Sequence, residues 1–211
     1  MIDNWLFNSK FKEKFEEFVG KRLIGKVTAN QLTLIGLIIG LFSAFFIFFS
    51  GILQEIIFIV ISIIFMVISF FIDTLDGAVA RSGKTTKFGG ILDVFCDRTV
   101  EIFLVMALIS TQPLILMWPG IFSLGAIILC ITMFLIVGGS LEEKDLEDSK
   151  KVIYYRYGLM ERSETLLFLL LITIFVLWRF MLLMIFAILV LITALLRLRD
   201  AYILFKIQKI I

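Results

Sequence analysis

The chain has 211 residues, of which 61% are hydrophobic, whereas an ordinary soluble domain is roughly 45–50% apolar. Its net charge is +2 and it contains no histidine, which excludes imidazole catalysis, histidine-bound zinc and haem, and an electrostatic basis for nucleic-acid binding. We therefore expect an all-α integral membrane protein with one membrane domain and no separate soluble enzyme.

The first 27 residues combine charges with aromatic side chains at helical spacing. Trp5, Phe7, Phe11, Phe15 and Phe18 recur at about every third or fourth position, with Lys and Glu between them. This pattern predicts an amphipathic helix that lies on the membrane surface over residues 1–27. The remaining residues, 28–211, form the predicted membrane domain.

Six transmembrane helices are predicted in that domain. Apolar runs place the first four at about 28–50, 56–73, 89–111 and 114–139, and the segment TQPLILMWPG, with both prolines, predicts a turn before the fourth. The last apolar stretch, 165–196, contains 32 residues, whereas one span needs about 20. It is therefore predicted to form two spans, with a tight turn near Trp178 and Arg179.

Basic residues are concentrated on one side of this topology. The N-terminal segment, the loops at 74–88 and 140–164 and the C-terminal segment contain six, three, five and four of them, 18 of the chain's 20. Arg98 lies within the third span and Arg179 on the far side. The positive-inside rule makes the rich side cytoplasmic. The sequence thus predicts a multi-pass protein of the cell membrane with both termini in the cytoplasm.

Four aspartates lie at ordered spacing between residues 73 and 97. Asp73 and Asp76 are three apart, and Asp93 and Asp97 are four apart, so each pair shares one face of a helix. Folded as an antiparallel hairpin, the two helix ends bring all four carboxylates to one cavity on the cytoplasmic side. Carboxylates are costly near hydrocarbon unless paired, hydrated or bound to a cation. Oxygen ligands suit Mg²⁺ or Mn²⁺, and two such ions suit phosphoryl transfer.

The residues between the two pairs are suited to a phosphate ligand. Gly77 and Ala80 keep one helix face thin, Arg81 offers a planar fork for a phosphate, and Gly89 and Gly90 open the third span. In the simpler alternative, neighbouring cations only neutralise the aspartates. Four carboxylates outnumber the three nearby cations, however, and that alternative gives the glycines no role.

This stretch reads Asp73-TL-Asp76-Gly77-AV-Ala80-Arg81, then SGKTTKF, then Gly89-GIL-Asp93-VFC-Asp97. At every fixed position it resembles the signature of the CDP-alcohol phosphatidyltransferases, D-x-x-D-G-x-x-A-R followed by G-x-x-x-D-x-x-x-D. Six spans, an N-terminal surface helix and the Asn30-x-Leu32-Thr33 start of the first span extend the resemblance over the chain.

The resemblance implies a role for each matching residue. Asp73, Asp76 and Asp93 would bind Mg²⁺ or Mn²⁺, with two ions expected, and Asp97 would help to position them and act as the general base. The implied reaction is attack of an acceptor hydroxyl on a CDP-linked lipid, CDP-diacylglycerol or CDP-archaeol, with release of CMP. A homodimer in a prokaryotic membrane is also implied. The expected pocket for the CDP group is lined by Asp76, Gly77, Ala80, Arg81, Thr86 and Gly89.

The acceptor is less determined. The segment GLMERSE, 158–164, resembles the branch that uses inositol phosphate, including archaetidylinositol phosphate synthases, and makes Arg162 a candidate contact for an acceptor phosphate. Arg197 and Arg199 are similar candidates. That branch usually carries basic residues at the end of the fourth span, but here FLIVGGSLEEKD has none before Lys144. Inositol phosphate and glycerol phosphate therefore both stay open.

Two other functions fit parts of the sequence. Intramembrane carboxylates also line ion paths, so a divalent-cation channel or transporter is the alternative function, and a catalytically inert scaffold is a third possibility. A through-path needs acidic residues at several depths, whereas the four aspartates lie near one face and the far side has Glu55. We further expect Arg98 and Glu101, three apart on the third span, to pair with each other.

Overall fold

The structure, a computed structural model, describes residues 27–82, 86–139 and 159–208. These residues form six α-helices and a short 3-10 helix at Val176–Trp178, and they contain no strand. The predicted all-α class is confirmed for this part of the chain, whereas the predicted surface helix lies outside it. The helices are α1 (Ala29–Leu53), α2 (Ile56–Ser82), α3 (Lys87–Thr111), α4 (Pro113–Gly139), α5 (Arg162–Ile174) and α6 (Arg179–Gln208).

Among the described residues, four helical segments are long and apolar enough to cross a membrane: Ala29–Leu53, Ile56–Ala80, Pro113–Val137 and Val176–Ile203. The helix α3 is equally long, but its first 15 residues include five charged ones, and α5 has only 13 residues. The chain is thus a helical membrane protein. The full count of six spans and their orientation stay predictions.

The prediction that both prolines form a turn is wrong. Gln112 alone separates α3 from α4. Pro113 is the first residue of α4, where a missing N–H and a fixed φ suit a helix start. Pro119 lies inside α4, and a membrane helix tolerates it because side-chain hydroxyls and neighbouring helices contact the freed backbone groups. One turn further on, the buried Ser123 hydroxyl lies 2.8 Å from the Pro119 carbonyl oxygen and 3.3 Å from that of Leu183, and so connects α4 to α6.

Other helix boundaries also differ from the predicted ones. The helix α2 continues past Asp73 and Asp76 to Ser82, so most of the predicted 74–88 loop is helical. The helix α5 begins at Arg162 rather than at residue 165, which places Arg162 at the first helical position. The predicted break near Trp178 and Arg179 is confirmed by the 3-10 helix and the start of α6.

The helix α3 lies at the centre of the packing. The helix α1 packs against α2 and α3, α4 packs against α6, and α5 contacts α2, α3 and α6. Leu104 and Leu108 of α3 are fully buried together with Leu116, Leu169 and Phe186 from the surrounding helices. This core fixes the end of α3 opposite to its aspartates.

Small residues bring α1 close to both of its neighbours. A Cβ atom on Gly40 would lie 2.7 Å from a methyl group of Val100 in α3. The Ser69 hydroxyl of α2 donates to the carbonyl oxygen of Gly36, at 2.8 Å. Such small-residue contacts are a usual basis for helix association in membranes. They hold the first turns of α1 beside the aspartate-bearing ends of α2 and α3.

Candidate active site

The aspartates of α2 and α3 meet as their spacing predicts. One carboxylate oxygen from each of Asp73, Asp76 and Asp93 lies within 4.8 Å of the other two. Asp97 follows Asp93 by one turn of α3, and its side chain is 10% exposed. Two helices thus supply an oxygen-rich cluster, which we call the aspartate cluster (Asp73, Asp76, Asp93 and Asp97).

Arg162, the first residue of α5, contacts this cluster directly. Its Nη2 pairs with Oδ1 of Asp73 and with Oδ1 of Asp97, and its Nη1 lies 3.2 Å from Oδ1 of Asp93. The sequence predicts Arg162 as a contact for an acceptor phosphate. In the structure its guanidinium bridges carboxylates of α2 and α3, and its contact with an acceptor phosphate stays a prediction.

The charges of the aspartate cluster suit a divalent cation. Four carboxylates lie close together here, and Arg162 contacts three of them. Carboxylates near hydrocarbon are stabilised when they bind a cation. The donors are all oxygen atoms, which Mg²⁺ and Mn²⁺ prefer over nitrogen or sulfur. The geometry of Asp73, Asp76 and Asp93 therefore fits a metal of this type.

A cavity of about 420 Å³ opens beside the cluster. Five of the six residues predicted to bind CDP line it: Asp76, Gly77, Ala80, Thr86 and Gly89. The sixth, Arg81, lies in the last turn of α2, and its side chain is outside the part that the structure describes. The cavity is bounded on one side by Asp93 and on the other by the start of α1, through Thr28, Ala29, Asn30 and Thr33.

Thr86 and Gly89 build the edge of this cavity at the start of α3. The Thr86 hydroxyl accepts a hydrogen bond from the Gly89 backbone N–H, at 3.0 Å, and so caps the helix. A Cβ atom on Gly89 would lie 2.9 Å from both the Thr86 hydroxyl and the side-chain oxygen of Asn30. A Cβ atom on Gly90 would meet nothing within 4 Å. Gly89 therefore permits the contact with α1, and Gly90 faces open space.

A second, smaller cavity of about 30 Å³ lies on the other side of Asp76, with room for about one water molecule. Asp73, Asp97 and Arg162 line it together with Thr33. Asp97 and Arg162 thus face a space different from the larger cavity, and Asp76 and Thr33 line both.

Residues of α1 belong to the site although the sequence assigns them no role in it. Thr33, 7% exposed, donates from its hydroxyl to Oδ2 of Asp76 at 2.7 Å, across 43 residues of sequence. Asn30 lies one turn earlier and lines the larger cavity. Their spacing of three puts them on one face of a mostly apolar helix, and this is the signal that identifies them.

The predicted pair of Arg98 and Glu101 is confirmed, and it has a further partner. Nη1 of Arg98 donates to Oε2 of the fully buried Glu101. The Thr165 hydroxyl of α5 lies 2.9 Å from Oε1 of Glu101 and 2.8 Å from the carbonyl oxygen of Arg162. Glu101 therefore fixes the first turn of α5 to α3, one turn below Asp97.

Arg197 and Arg199, the other predicted acceptor contacts, make different interactions. Nη1 of Arg197 donates to the carbonyl oxygen of Cys130 in α4, at 3.2 Å, and its guanidinium lies over the ring of Phe134. Arg199 pairs with Asp200 at 2.8 Å. Arg197 thus connects α6 to α4, whereas Arg199 pairs with the next residue of its own helix.

The outward side of α3 is apolar at the level of the aspartates. Phe88, Ile91 and Phe95 are between 63% and 67% exposed. They lie on the same part of α3 as Asp93 and Asp97. Exposed apolar side chains of a membrane protein suit contact with lipid tails, which are as apolar as leucine. The same turns of α3 therefore present carboxylates inward and hydrocarbon outward.

A family model described as CDP-alcohol phosphatidyltransferase matches residues 26–198. The chain belongs to this family. The match begins just before α1 and extends through most of α6, so it includes every described residue of the aspartate cluster and both cavities. The resemblance of the motif is thereby confirmed at the level of the family.

Relatives of known function match the chain over about half of its length. It is 41% identical over 92 residues to the archaetidylinositol phosphate synthase of Pyrococcus horikoshii, which is 42% of this chain and 44% of that protein. It is 33% identical over 108 residues to the bifunctional IPC transferase and DIPP synthase of Aquifex aeolicus, 51% of this chain and 23% of that protein. The protein of the same name from Archaeoglobus fulgidus is 34% identical over 106 residues, 48% of this chain and 19% of that protein. The matched part is thus less than half of each relative.

Proposed function

We propose that the protein transfers the phospholipid part of a CDP-linked lipid to the hydroxyl group of a polar alcohol, with release of CMP. The observation that carries this proposal is the convergence of Asp73, Asp76 and Asp93 beside a cavity of about 420 Å³. That cavity is lined by the small residues Gly77, Ala80 and Gly89. Membership of the CDP-alcohol phosphatidyltransferase family supports the same reaction class.

The larger cavity is the proposed site of the CDP group. Gly77 and Ala80 lack long side chains, so a nucleotide can approach the backbone of α2 closely. Asp73, Asp76 and Asp93, with Asp97, would hold one or two Mg²⁺ or Mn²⁺ ions. When bound, such ions offset the negative charge of the diphosphate and of the departing CMP. Arg81 is the proposed further contact for the diphosphate.

Asp97 is the proposed general base. Its carboxylate removes the proton of the acceptor hydroxyl while the acceptor oxygen bonds to the phosphorus that carries the lipid, and the bond from that phosphorus to CMP breaks. Asp97 lines the smaller cavity with Arg162. The acceptor therefore approaches from the side of α5, opposite to the nucleotide cavity.

A phosphate-carrying alcohol is the proposed acceptor, with inositol phosphate as the first candidate. One relative is named as an archaetidylinositol phosphate synthase. Arg162 already contacts anionic groups at the aspartate cluster, and a guanidinium binds phosphate with the same paired geometry. Arg197 and Arg199 are kept as further candidates for the acceptor site, and glycerol phosphate as a second acceptor.

We further propose six spans, a cytoplasmic active site and a homodimer in the cell membrane. The concentration of basic residues on one side supports this orientation. The accessibility of single cysteines introduced at Glu55 and at Thr86 to a membrane-impermeant thiol reagent tests it in cells. Mass measurement of the detergent-solubilised protein tests the dimer.

The enzymatic proposal is tested with purified protein and Mg²⁺ or Mn²⁺. CDP-diacylglycerol and CDP-archaeol are each offered with inositol 1-phosphate, glycerol 3-phosphate, inositol and serine. CMP release is measured and the lipid product is identified by mass spectrometry. We expect CMP and a new phospholipid with a phosphate-carrying alcohol, and from the Asp97→Asn variant both products at a rate about 10²- to 10⁴-fold lower.

Two results would contradict this proposal. One is the absence of CMP above the Asp97→Asn level with every acceptor. The other is Mg²⁺ or Mn²⁺ flux into liposomes without any nucleotide, which favours the channel alternative. The sequence gives little support for such a path, because no Asp or Glu occurs from residue 102 to 141 or from 165 to 199.

A further inference from the structure

Thr33 of α1 lies between the two cavities and contacts a residue of the aspartate cluster. Its hydroxyl is 2.7 Å from Oδ2 of Asp76 and 3.0 Å from the carbonyl oxygen of Ala29. A hydroxyl has one proton to donate. The shorter contact is with the carboxylate, and bonds to a charged acceptor are the stronger kind. We therefore infer that the Thr33 hydroxyl donates its hydrogen bond to Oδ2 of Asp76 rather than to the carbonyl oxygen of Ala29.

Both partners of this hydrogen bond are buried. Thr33 is 7% exposed and Asp76 is 5% exposed. Asp76 is also the aspartate that lines both cavities, so it lies between the proposed nucleotide site and the side on which Asp97 and Arg162 lie. The orientation of its carboxylate therefore affects both sides of the site.

The helix that carries Thr33 is fixed at its first turn. The Thr28 hydroxyl accepts from the Gln31 backbone N–H, and the Gln31 side chain accepts from the Thr28 backbone N–H, at 3.3 and 2.9 Å. Three residues beyond Thr33, the Gly36 carbonyl oxygen accepts a hydrogen bond from the Ser69 hydroxyl of α2. Thr33 is thus held between two fixed points, and its hydroxyl has a defined position relative to α2.

We propose that Thr33 is a positioning residue, which acts through Asp76 rather than on the substrate. By holding Oδ2 of Asp76, its hydroxyl restricts rotation of the carboxylate and keeps it directed toward Asp73 and Asp93. Hydrogen bonds that orient metal ligands in this way typically change metal affinity by about 10- to 100-fold when removed. This inference rests on the metal site of the proposed function.

The test compares Thr33→Val, which keeps the shape and removes the hydroxyl, with Thr33→Ser, which keeps the hydroxyl. Mn²⁺ binding to the purified, detergent-solubilised protein is measured by electron paramagnetic resonance, without substrate. We expect Thr33→Val to weaken Mn²⁺ binding about 10- to 100-fold, and Thr33→Ser to bind within about threefold of the unmodified protein. If Thr33→Val does not fold, Thr33→Ala takes its place with the same expected weakening.

Thr173→Val is the matched control. Thr173 of α5 is also fully buried, and its hydroxyl donates to the Leu169 carbonyl oxygen of its own helix. We expect its Mn²⁺ affinity to be unchanged. Asp76→Asn is the positive control, with a loss at least as large as that of Thr33→Val.

Two outcomes overturn the inference: unchanged Mn²⁺ affinity in Thr33→Val while Asp76→Asn loses it, or equal weakening in Thr33→Ser and Thr33→Val. Neither outcome affects the proposed transferase reaction, which is measured separately by CMP release. Conversely, hydroxyl-dependent Mn²⁺ binding without any CMP release supports the role of Thr33 and counts against the proposed reaction.

Discussion

Two arginines begin the helices α5 and α6, and their hydrogen-bond acceptors differ in charge. Arg162 contacts the carboxylates of Asp73, Asp93 and Asp97. Arg179 is 3% exposed and donates to the carbonyl oxygens of Ile172 and Thr173 and to the hydroxyl of Thr111. One arginine is therefore surrounded by charged acceptors and the other by neutral ones.

This difference distinguishes Arg162, a residue of the candidate active site, from Arg179, a residue that stabilises the packing of the helices. Arg179 satisfies the last carbonyl groups of α5, where a positive charge is also favoured by the helix dipole, and it connects α3, α5 and α6. None of these acceptors of Arg179 is a carboxylate. Arg162 sits where another cation also fits, so its contacts can be exchanged. The four predictions that follow test this distinction.

The largest effect is expected for Asp97→Asn, which changes a carboxylate that contacts Arg162. Removal of a general base lowers the rate by about 10²- to 10⁴-fold, while Arg162 still contacts Asp73 and Asp93 and supports the fold. Initial rates of CMP release measure the loss. Glu55→Gln, between α1 and α2 at the other ends of these helices, is the control and should retain the rate. A loss of less than tenfold in Asp97→Asn would contradict the assigned role.

A smaller loss is expected for Arg162→Leu. Hydrogen bonds between charged groups contribute about 1.5–3 kcal/mol, so we expect a rate loss on the order of 10²-fold if the acceptor phosphate binds there. Removal of the guanidinium also leaves the carboxylates available to metal. Mn²⁺ should therefore raise the unfolding temperature more in Arg162→Leu than in the unmodified protein. An equal or smaller rise would show that Arg162 and the metal do not compete.

Arg179→Leu should act on stability instead. The buried carbonyl oxygens of Ile172 and Thr173 lose their donor, at a cost of about 2 kcal/mol, and Mn²⁺ should not restore the loss. Thermal unfolding is followed with a thiol-reactive dye, since Cys96 is buried and Cys130 partly buried. Arg179→Lys should recover part of the stability. A normal unfolding temperature with impaired catalysis would place Arg179 among the functional residues.

The smallest effects are expected for a matched pair of hydroxyl deletions. Thr111→Val removes one neutral acceptor of Arg179 and should cost about 0.6 kcal/mol, the average for such bonds in a membrane protein. Thr165→Val removes a donor to the buried carboxylate of Glu101 and should cost about 1 kcal/mol. Thr165→Val should in addition lower the rate, because Glu101 positions the first turn of α5. Equal effects of Thr111→Val and Thr165→Val on the rate would contradict the distinction between the surroundings of Arg179 and those of Arg162.

The parts of the fold that depend on local pattern could be predicted from the sequence. The spacing of the aspartates puts Asp73 and Asp76 on one face of α2 and Asp93 and Asp97 on one face of α3. An antiparallel arrangement of the two helix ends then predicts that Asp73, Asp76 and Asp93 converge. The pair of Arg98 and Glu101 follows from the same rule. The all-α class follows from the length and composition of the apolar runs.

Long-range contacts could not be predicted in this way. Thr33 and Asp76 are 43 residues apart, and Arg162 and Asp93 are 69 apart, so no local spacing relates them. The resemblance to a family suggested a phosphate for Arg162, whereas in the structure the nearest anions are carboxylates. The prediction of a turn at the two prolines is wrong for a related reason. The packing of α4 against α6 outweighs the local tendency of Pro119 to end a helix.

The apolar outer side of α3 has a consequence for kinetics. Phe88, Ile91 and Phe95 place hydrocarbon around the same turns that carry Asp93 and Asp97, so we expect the donor lipid of the proposed reaction to reach the site by lateral diffusion within the membrane. The relevant concentration is then the mole fraction of CDP-lipid in the bilayer, not its amount per volume of solution. Dilution with an inert phospholipid at constant total CDP-lipid should therefore lower the rate of CMP release in proteoliposomes. A rate that follows bulk concentration instead would indicate entry from water.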